Sequence, residues 1–228
     1  MGGKAYFVSG IDTDVGKTVA TGMMARYLMR SGRDVATFKL VQTGCTGLSE
    51  DILRHREICG VGPTREDLDS LTCPQSFAFP SSPLLAARRE GRDVDLAAIA
   101  AAADACIARH EVTLVESAGG LAVPLAEDTL SADFAAERGW PLVLVTCGRL
   151  GAINHTLLSL DFAIARGIRV AGVVFNEHPA GDPEIAADTT AAVSRHLRRI
   201  GADAPIVRLP ALDGLSPIPD VDFGEVFS

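Results

Sequence analysis

The stretch from Val8 to Thr18, VSGIDTDVGKT, limits what this chain can become more than any other. A short apolar run, Ala5 to Val8, leads into a loop of small residues ending in Gly16-Lys17-Thr18, and a helix-compatible segment, Val19 to Arg30, follows. Strand, glycine-bearing loop and helix, in that order, make a P-loop. Successive backbone N–H groups and the helix N-terminus can cradle phosphate oxygens, Lys17 can reach the terminal phosphates, and the Thr18 hydroxyl can ligate Mg²⁺. Five residues separate Gly10 from Gly16, one more than the usual spacing. The competing reading is a glycine-rich turn capping an ordinary helix. The strand before and the amphipathic helix after favour a nucleoside-triphosphate site.

Five later segments share the character of the first strand: Asp34–Leu40, Val112–Glu116, Pro141–Thr146, Arg169–Asn176 and Pro205–Leu209. They are short, rich in Val and Leu, and not strictly alternating, which suits parallel strands buried on both faces. Helix-like stretches lie between them, at Asp95–His110, Ser131–Arg138, Ile153–Gly167 and Pro183–Ile200. This alternation implies right-handed crossovers and a doubly wound, mostly parallel α/β sheet with helices on both faces, P-loop NTPase-like. At 228 residues, 47% of them hydrophobic, the chain is expected to form one domain over residues 1–228. Leu71–Pro83, with its prolines and serines, is expected to be a long loop, and Ala211–Ser228 a turn-rich segment on the surface.

Ligands in such sheets gather beyond the carboxyl ends of the strands. Gly10–Thr18 follows the first strand, Lys39 closes the second, Glu116 the third, Gly148–Asn154 follow the fourth and Asn176 ends the fifth. All fall on one edge. Glu116 ends a buried strand and precedes Ser117-Ala118-Gly119-Gly120, a loop that lets backbone approach a ligand. A carboxylate there suits a Walker-B-like metal ligand, against the plainer reading of a solvated strand-end acid. Asp51 lies in the first turn of a helix after Ser49, where the dipole favours an acid in any case, so spacing alone leaves its metal role open. Lys39 is either a surface lysine or a second cation facing the phosphates. The five histidines, at 55, 110, 155, 178 and 196, have no metal-ligand spacing.

The order GIDTDVGKT, FKLVQTG, VESAGG, RLGAINH and VFN resembles the dethiobiotin synthetases, ATP-dependent cyclases of biotin synthesis. The likeness runs over nearly the whole chain and includes the five-residue gap. Phe79-Pro80-Ser81-Ser82-Pro83 is similar to that family's proline-containing loop beside the substrate, whereas Ile11, Leu40 and Ser117 depart from its usual Thr, Pro and Gly. The resemblance implies that a diamine, 7,8-diaminononanoate, takes up CO2 as a carbamate. The carbamate attacks the γ-phosphate of ATP, and the second nitrogen closes a cyclic urea, expelling phosphate. It implies Mg²⁺ held by Thr18, Asp51 and Glu116, with the phosphates wrapped by Asp14, Val15, Gly16, Lys17, Thr18 and Val19. It implies that Lys17 and Lys39 serve the carbamate and the transferring phosphoryl group, and that Ser117, Ala118 and Gly119 lie on the nucleotide side. By the same resemblance Thr13 and Thr43 are expected beside the diamine, and Asn176, Pro210, Ala211 and Leu212 at the adenine. It further implies a homodimer in which Gly151 and Asn154 reach the partner's substrate.

Composition narrows the rivals. A net charge of −8 without a basic cluster argues against nucleic acid and anionic membranes. No apolar run reaches the roughly eighteen residues of a membrane span. The N-terminus lacks a signal-peptide core, and five cysteines without a C-x-x-C pair read as reduced thiols, so a cytoplasmic location is expected. A partitioning ATPase carries a signature lysine five residues before the P-loop lysine, where this chain has Asp12. An amide synthetase of the cobyrinate type needs a glutaminase domain for which there is no room. A small-molecule kinase remains open on the motifs alone.

Overall fold

A computed structural model describes residues 2–178, 182–212 and 218–228. In chain order the elements are β1 (Lys4–Gly10), α1 (Lys17–Arg30), β2 (Val35–Lys39), β3 (Gln42–Thr43), α2 (Glu50–Cys59), α3 (Arg65–Leu68), β4 (Ser76–Phe77), α4 (Pro83–Arg89), α5 (Leu96–Arg109), β5 (Val112–Gly120), β6 (Pro124–Ala126), β7 (Thr129–Leu130), α6 (Ser131–Glu137), β8 (Leu142–Cys147), α7 (Ala152–Ile164), β9 (Val170–Asn176), α8 (Pro183–Arg199) and β10 (Ile206–Leu209), with a closing 3-10 turn at Gly224–Phe227.

The segments expected as buried strands form one six-stranded sheet in the order β10-β9-β8-β1-β5-β2. Every neighbouring pair is parallel. Strands β8 and β9 are buried along their whole length, which is why their sequences run apolar without alternation. The path from β1 to β2 runs one way along the sheet, and the path through β5, β8, β9 and β10 runs the other. Right-handed crossovers therefore set α1 on one face and the later crossover helices on the opposite one.

That asymmetry explains a correction. The segment after Ala211, expected on the surface, contributes to the core: Phe223 and Val226 are buried. On the α1 face no crossover helix among the described residues covers β9, and the chain's end does so instead. Val226 lies over Gly172, within 2.9 Å of where a β-carbon would stand. Phe227 meets Tyr6 edge-on with ring centroids 4.9 Å apart, and Phe223 packs on Tyr27 at 5.9 Å. Residues 213–217 of that segment lie outside the described ones. The expected loop Leu71–Pro83 also carries structure. Its β4 pairs in parallel with β3, Gln42 opposite Ser76 and Thr43 opposite Phe77, and Pro83 opens α4.

Register brings the site together. Glu116 on β5 stands opposite Val8 on β1 and opposite Lys39 on β2. Beyond Val8 the β1–β5 register shifts, so that Gly10 pairs with Gly120. The P-loop leaves β1 where the strand order reverses direction, the crevice in which open α/β sheets hold ligands.

Candidate active site

The P-loop is fixed from two sides. Gly16 caps α1 with φ +90°, a left-handed conformation, and no side chain caps the helix, so its N-terminal N–H groups have no side-chain acceptor. Asn176, buried at the end of β9, reaches across and donates from Nδ2 to the Val15 carbonyl at 3.0 Å. The same carboxamide is held by His178, donating to its carbonyl at 3.2 Å and accepting from its N–H at 3.1 Å. A β-carbon on Gly16 would stand 2.2 Å from Asn176 Nδ2. Lys17 donates from Nζ to the Asp12 carbonyl at 2.9 Å, and Asp12 in turn pairs with Arg149 from the loop after β8 at 2.6 Å.

Beside this loop lies a buried cluster of opposite charges. Lys39 Nζ stands 2.5 Å from Asp51 Oδ2 and 2.8 Å from Glu116 Oε1, and donates to the Ser117 carbonyl at 3.1 Å. Thr18 Oγ1 lies 3.1 Å from Asp51 Oδ1 and 3.0 Å from Glu116 Oε1. The other Glu116 oxygen, Oε2, is 2.8 Å from His55 Nε2, and both side chains are wholly buried. Burial alone would raise the Glu116 carboxyl. The Lys39 ammonium and then the His55 hydrogen bond outweigh it and hold the group well below the usual carboxylate range. Burial would likewise lower Lys39, yet Glu116 and Asp51 hold it above an ordinary lysine. Burial, and then repulsion from Lys39, push Lys17 below the ordinary lysine range, and the attraction of Glu116, Asp51 and Asp14 is too weak to offset them.

Lys17, Thr18, Lys39, Asp51 and Glu116 line a cavity of about 550 Å³, of small-molecule size. Of the residues expected from sequence, Thr13, Asp14, Gly16, Lys17, Thr18, Val19, Lys39, Thr43, Asp51, Glu116, Ala118 and Gly119 line it, together with Ser81 and Ser82. Val15 and Ser117 are buried behind the wall. Ser117, where the related family has glycine, places its hydroxyl 2.9 Å from both Ser9 Oγ and the Gly119 carbonyl. Asn176 supports the P-loop from outside the cavity, and Pro210, Ala211 and Leu212 follow β10 beside it in the sheet. Gly151 and Asn154 begin α7 and are exposed, away from this cavity in the single chain.

The donor set fits magnesium. Two carboxylates and a hydroxyl are hard oxygen donors, and Mg²⁺ characteristically takes few protein ligands and completes its shell with water and phosphate. Among the described residues no group of three or more His, Cys, Asp or Glu side chains forms a protein-only metal cage. All five cysteines are free. No helix among the described residues is long and apolar enough to cross a membrane.

Sequence reasoning passed over His55 and the clamp made by Asn176. The first had a signal, four residues after Asp51 on one helix and hence on the same face. The second had none, because it depends on how β9 comes to lie beyond β8.

Comparison with known proteins agrees with this geometry. A family model described as an AAA domain matches residues 4–218. The chain is 44% identical over 220 residues to the ATP-dependent dethiobiotin synthetase BioD of Chlorobaculum tepidum, covering 96% of this chain and 92% of that protein. It is 47% identical over 180 residues to the ATP-dependent dethiobiotin synthetase BioD 2 of Haemophilus influenzae, covering 79% and 94%. With the corresponding protein of Pasteurella multocida it shares 42% over 196 residues, covering 86% and 92%. A P-loop opening onto paired lysines and carboxylates, on a chain this close to several such synthetases over most of their length, belongs to the family of ATP-dependent dethiobiotin synthetases.

Proposed function

We propose that this enzyme joins CO2 to 7,8-diaminononanoate and closes the ring at the expense of ATP, through a carbamate and a carbamic–phosphoric anhydride, with Mg²⁺ bound. One amine takes up CO2 and loses a proton to give the carbamate. A carbamate oxygen attacks the γ-phosphorus and ADP leaves. The second amine then attacks the carbamoyl carbon and inorganic phosphate departs with the cyclic urea. Such a path needs positioning and cations more than covalent help from the protein.

The observation that carries this reading is the placement of Lys39. Its ammonium lies beside the P-loop, buried and held among Asp51, Glu116 and the Ser117 carbonyl. A second fixed cation at that point suits an anion approaching the γ-phosphate, and it favours the carbamate over the neutral amine. Thr18, Asp51 and Glu116 would hold the metal, which when bound neutralises charge on the β- and γ-phosphates. Asp14, Gly16 and Lys17 would wrap the phosphates, with Lys17 leaving the Asp12 carbonyl to meet them. Thr13 and Thr43 face the space assigned to the diamine, and Ala118 and Gly119 bring backbone to the nucleotide. Asn176 is assigned to the adenine side through the loop it holds, with Pro210, Ala211 and Leu212 forming the wall next to it.

The substrate carboxylate is assigned to a second copy of the chain. Gly151 caps α7 with φ +86° and no side-chain cap, which leaves helix N–H groups facing outward next to exposed Asn154. Leu150, just before the same helix, and Leu158, on it, are 82% and 60% exposed, an apolar surface suited to a homodimer contact. The experiment for the central assignment is Lys39→Ala. The expected result is at least a tenfold fall in kcat, about 1.4 kcal/mol, with a smaller change in KM for ATP. Unchanged turnover would return Lys39 to a structural role.

A further inference from the structure

Building on the magnesium reading above, we infer that His55 is a positioning residue for Glu116. The imidazole occupies Oε2, so that the carboxylate offers only Oε1 to Thr18, Lys39 and the metal. The division is already complete in the structure. Oε1 receives Lys39 at 2.8 Å and Thr18 at 3.0 Å, and Oε2 receives His55 Nε2 at 2.8 Å.

The helix that brings His55 is itself firmly placed. Asp51 and His55 are one turn apart on α2, so a single helix face supplies one proposed ligand and the orienter of another. Ser49 caps that helix, accepting from the Ile52 N–H at 3.2 Å while donating to Gln42 Oε1 at 2.6 Å. One residue beyond His55, Arg56 grips Asp67 with two bonds of 2.8 Å. An orienting group needs such a mount, because a small drift of the imidazole would be passed to the carboxylate.

The other imidazole nitrogen gives the second reason. Nδ1 is buried and has no hydrogen-bond partner among the described residues. With Glu116 accepting, Nε2 is the donor and Nδ1 is left without a partner. A leucine of similar size would fill the same space without that cost. The imidazole therefore contributes something that packing alone does not need, and its bond to Glu116 is the contact that provides it. Hydrogen bonds that orient metal-binding carboxylates in this way commonly change metal affinity or activity 10–100-fold when removed.

Two amide variants separate this role from mere bulk. In His55→Gln the side-chain NH2 stands near the place of Nε2 and reaches Glu116. In His55→Asn it stands near the place of Nδ1 and falls short. Both remain polar and small enough to fold, which melting curves verify. The readouts are Mn²⁺ affinity by electron paramagnetic resonance with a non-hydrolysable ATP analogue, and kcat and KM for the reaction. The expected result is Mn²⁺ affinity and kcat within about threefold of wild type for Gln, and at least tenfold weaker Mn²⁺ binding for Asn. Equal behaviour of the two, whether both intact or both impaired, overturns the inference. Glu116→Gln serves as the reference. Should that variant bind Mn²⁺ as wild type does, the magnesium reading itself fails; should it lose binding while His55→Asn keeps it, only the role of His55 fails.

Discussion

Replacing Gly16 with alanine tests how the P-loop is held, and the structure supplies each part of the expected loss. The residue has φ +90°, where an L-residue with a β-carbon costs about 1–2 kcal/mol. The new β-carbon would stand 2.2 Å from Asn176 Nδ2 and 3.0 Å from its Cγ, so the carboxamide must turn away. Doing so breaks the 3.0 Å bond to the Val15 carbonyl in a buried place, a loss of about 1–3 kcal/mol. The total expected is therefore about 2–5 kcal/mol, measured by urea unfolding. Gly32→Ala isolates the backbone part, since Gly32 has φ +79° and nothing within 4 Å of a β-carbon; its cost should be about 1–2 kcal/mol. The decisive assay is the double-mutant cycle with Asn176→Ala. Once the carboxamide is gone, Gly16→Ala should cost no more than Gly32→Ala, leaving a coupling of at least about 1 kcal/mol. Strict additivity of the two changes would refute the clamp.

Two further outcomes concern stability at low pH and assembly. Burial would raise the Asp67 carboxyl, but the Arg56 hydrogen bond, the Thr64 N–H and the Thr72 hydroxyl bring it down to about 2 from 3.8. Its contribution is therefore complete above the ordinary carboxylate range and is lost as the pH falls through about 2. Arg56→Met should lower stability near neutrality by about 3–5 kcal/mol and flatten the further loss between roughly pH 4 and 2; urea midpoints across that range check both, and an unchanged slope would contradict the pairing. If α7 completes the partner's site, mixing inactive Lys17→Ala and Asn154→Ala chains should restore activity in hybrid dimers. No recovery after demonstrated subunit exchange would place the whole site within one chain.

Much of this was legible in the sequence because burial on both faces leaves a simple mark. Strands β8 and β9 are buried over their whole length, β2 closes on Lys39 and β9 on Asn176, and Glu116 on β5 lies opposite Lys39 at the same edge. Strand order left no such mark. Only the finished sheet places β5 between β1 and β2 and so sets Lys39 beside Glu116. Two-residue ribbons such as β3 and β4 are too short to carry a period, which is why Ser76 and Phe77 read as loop. The C-terminal residues read as surface because their apolar members are sparse, yet Phe223 and Val226 fill the face that the one-way run of crossovers leaves open. Within the site, charge was readable and contact was not. Asp51 could not be told from a helix-dipole acid until α2 brought it within 3.1 Å of Thr18 and 2.5 Å of Lys39.

In the proposed reaction the γ-phosphoryl group goes to a carbamate and not to water. The proposed reaction requires that water be kept from ATP until the acceptor anion is in place, because hydrolysis would compete with transfer. Phosphate release by the purified enzyme, followed with ATP and Mg²⁺ while the diamine and bicarbonate are each supplied or withheld, measures this directly. The expected result is slow release with ATP alone or with either co-substrate, a rise when both are present, and one phosphate for each cyclic urea formed. Brisk release without the diamine, or release that DNA stimulates while the diamine does nothing, would contradict it.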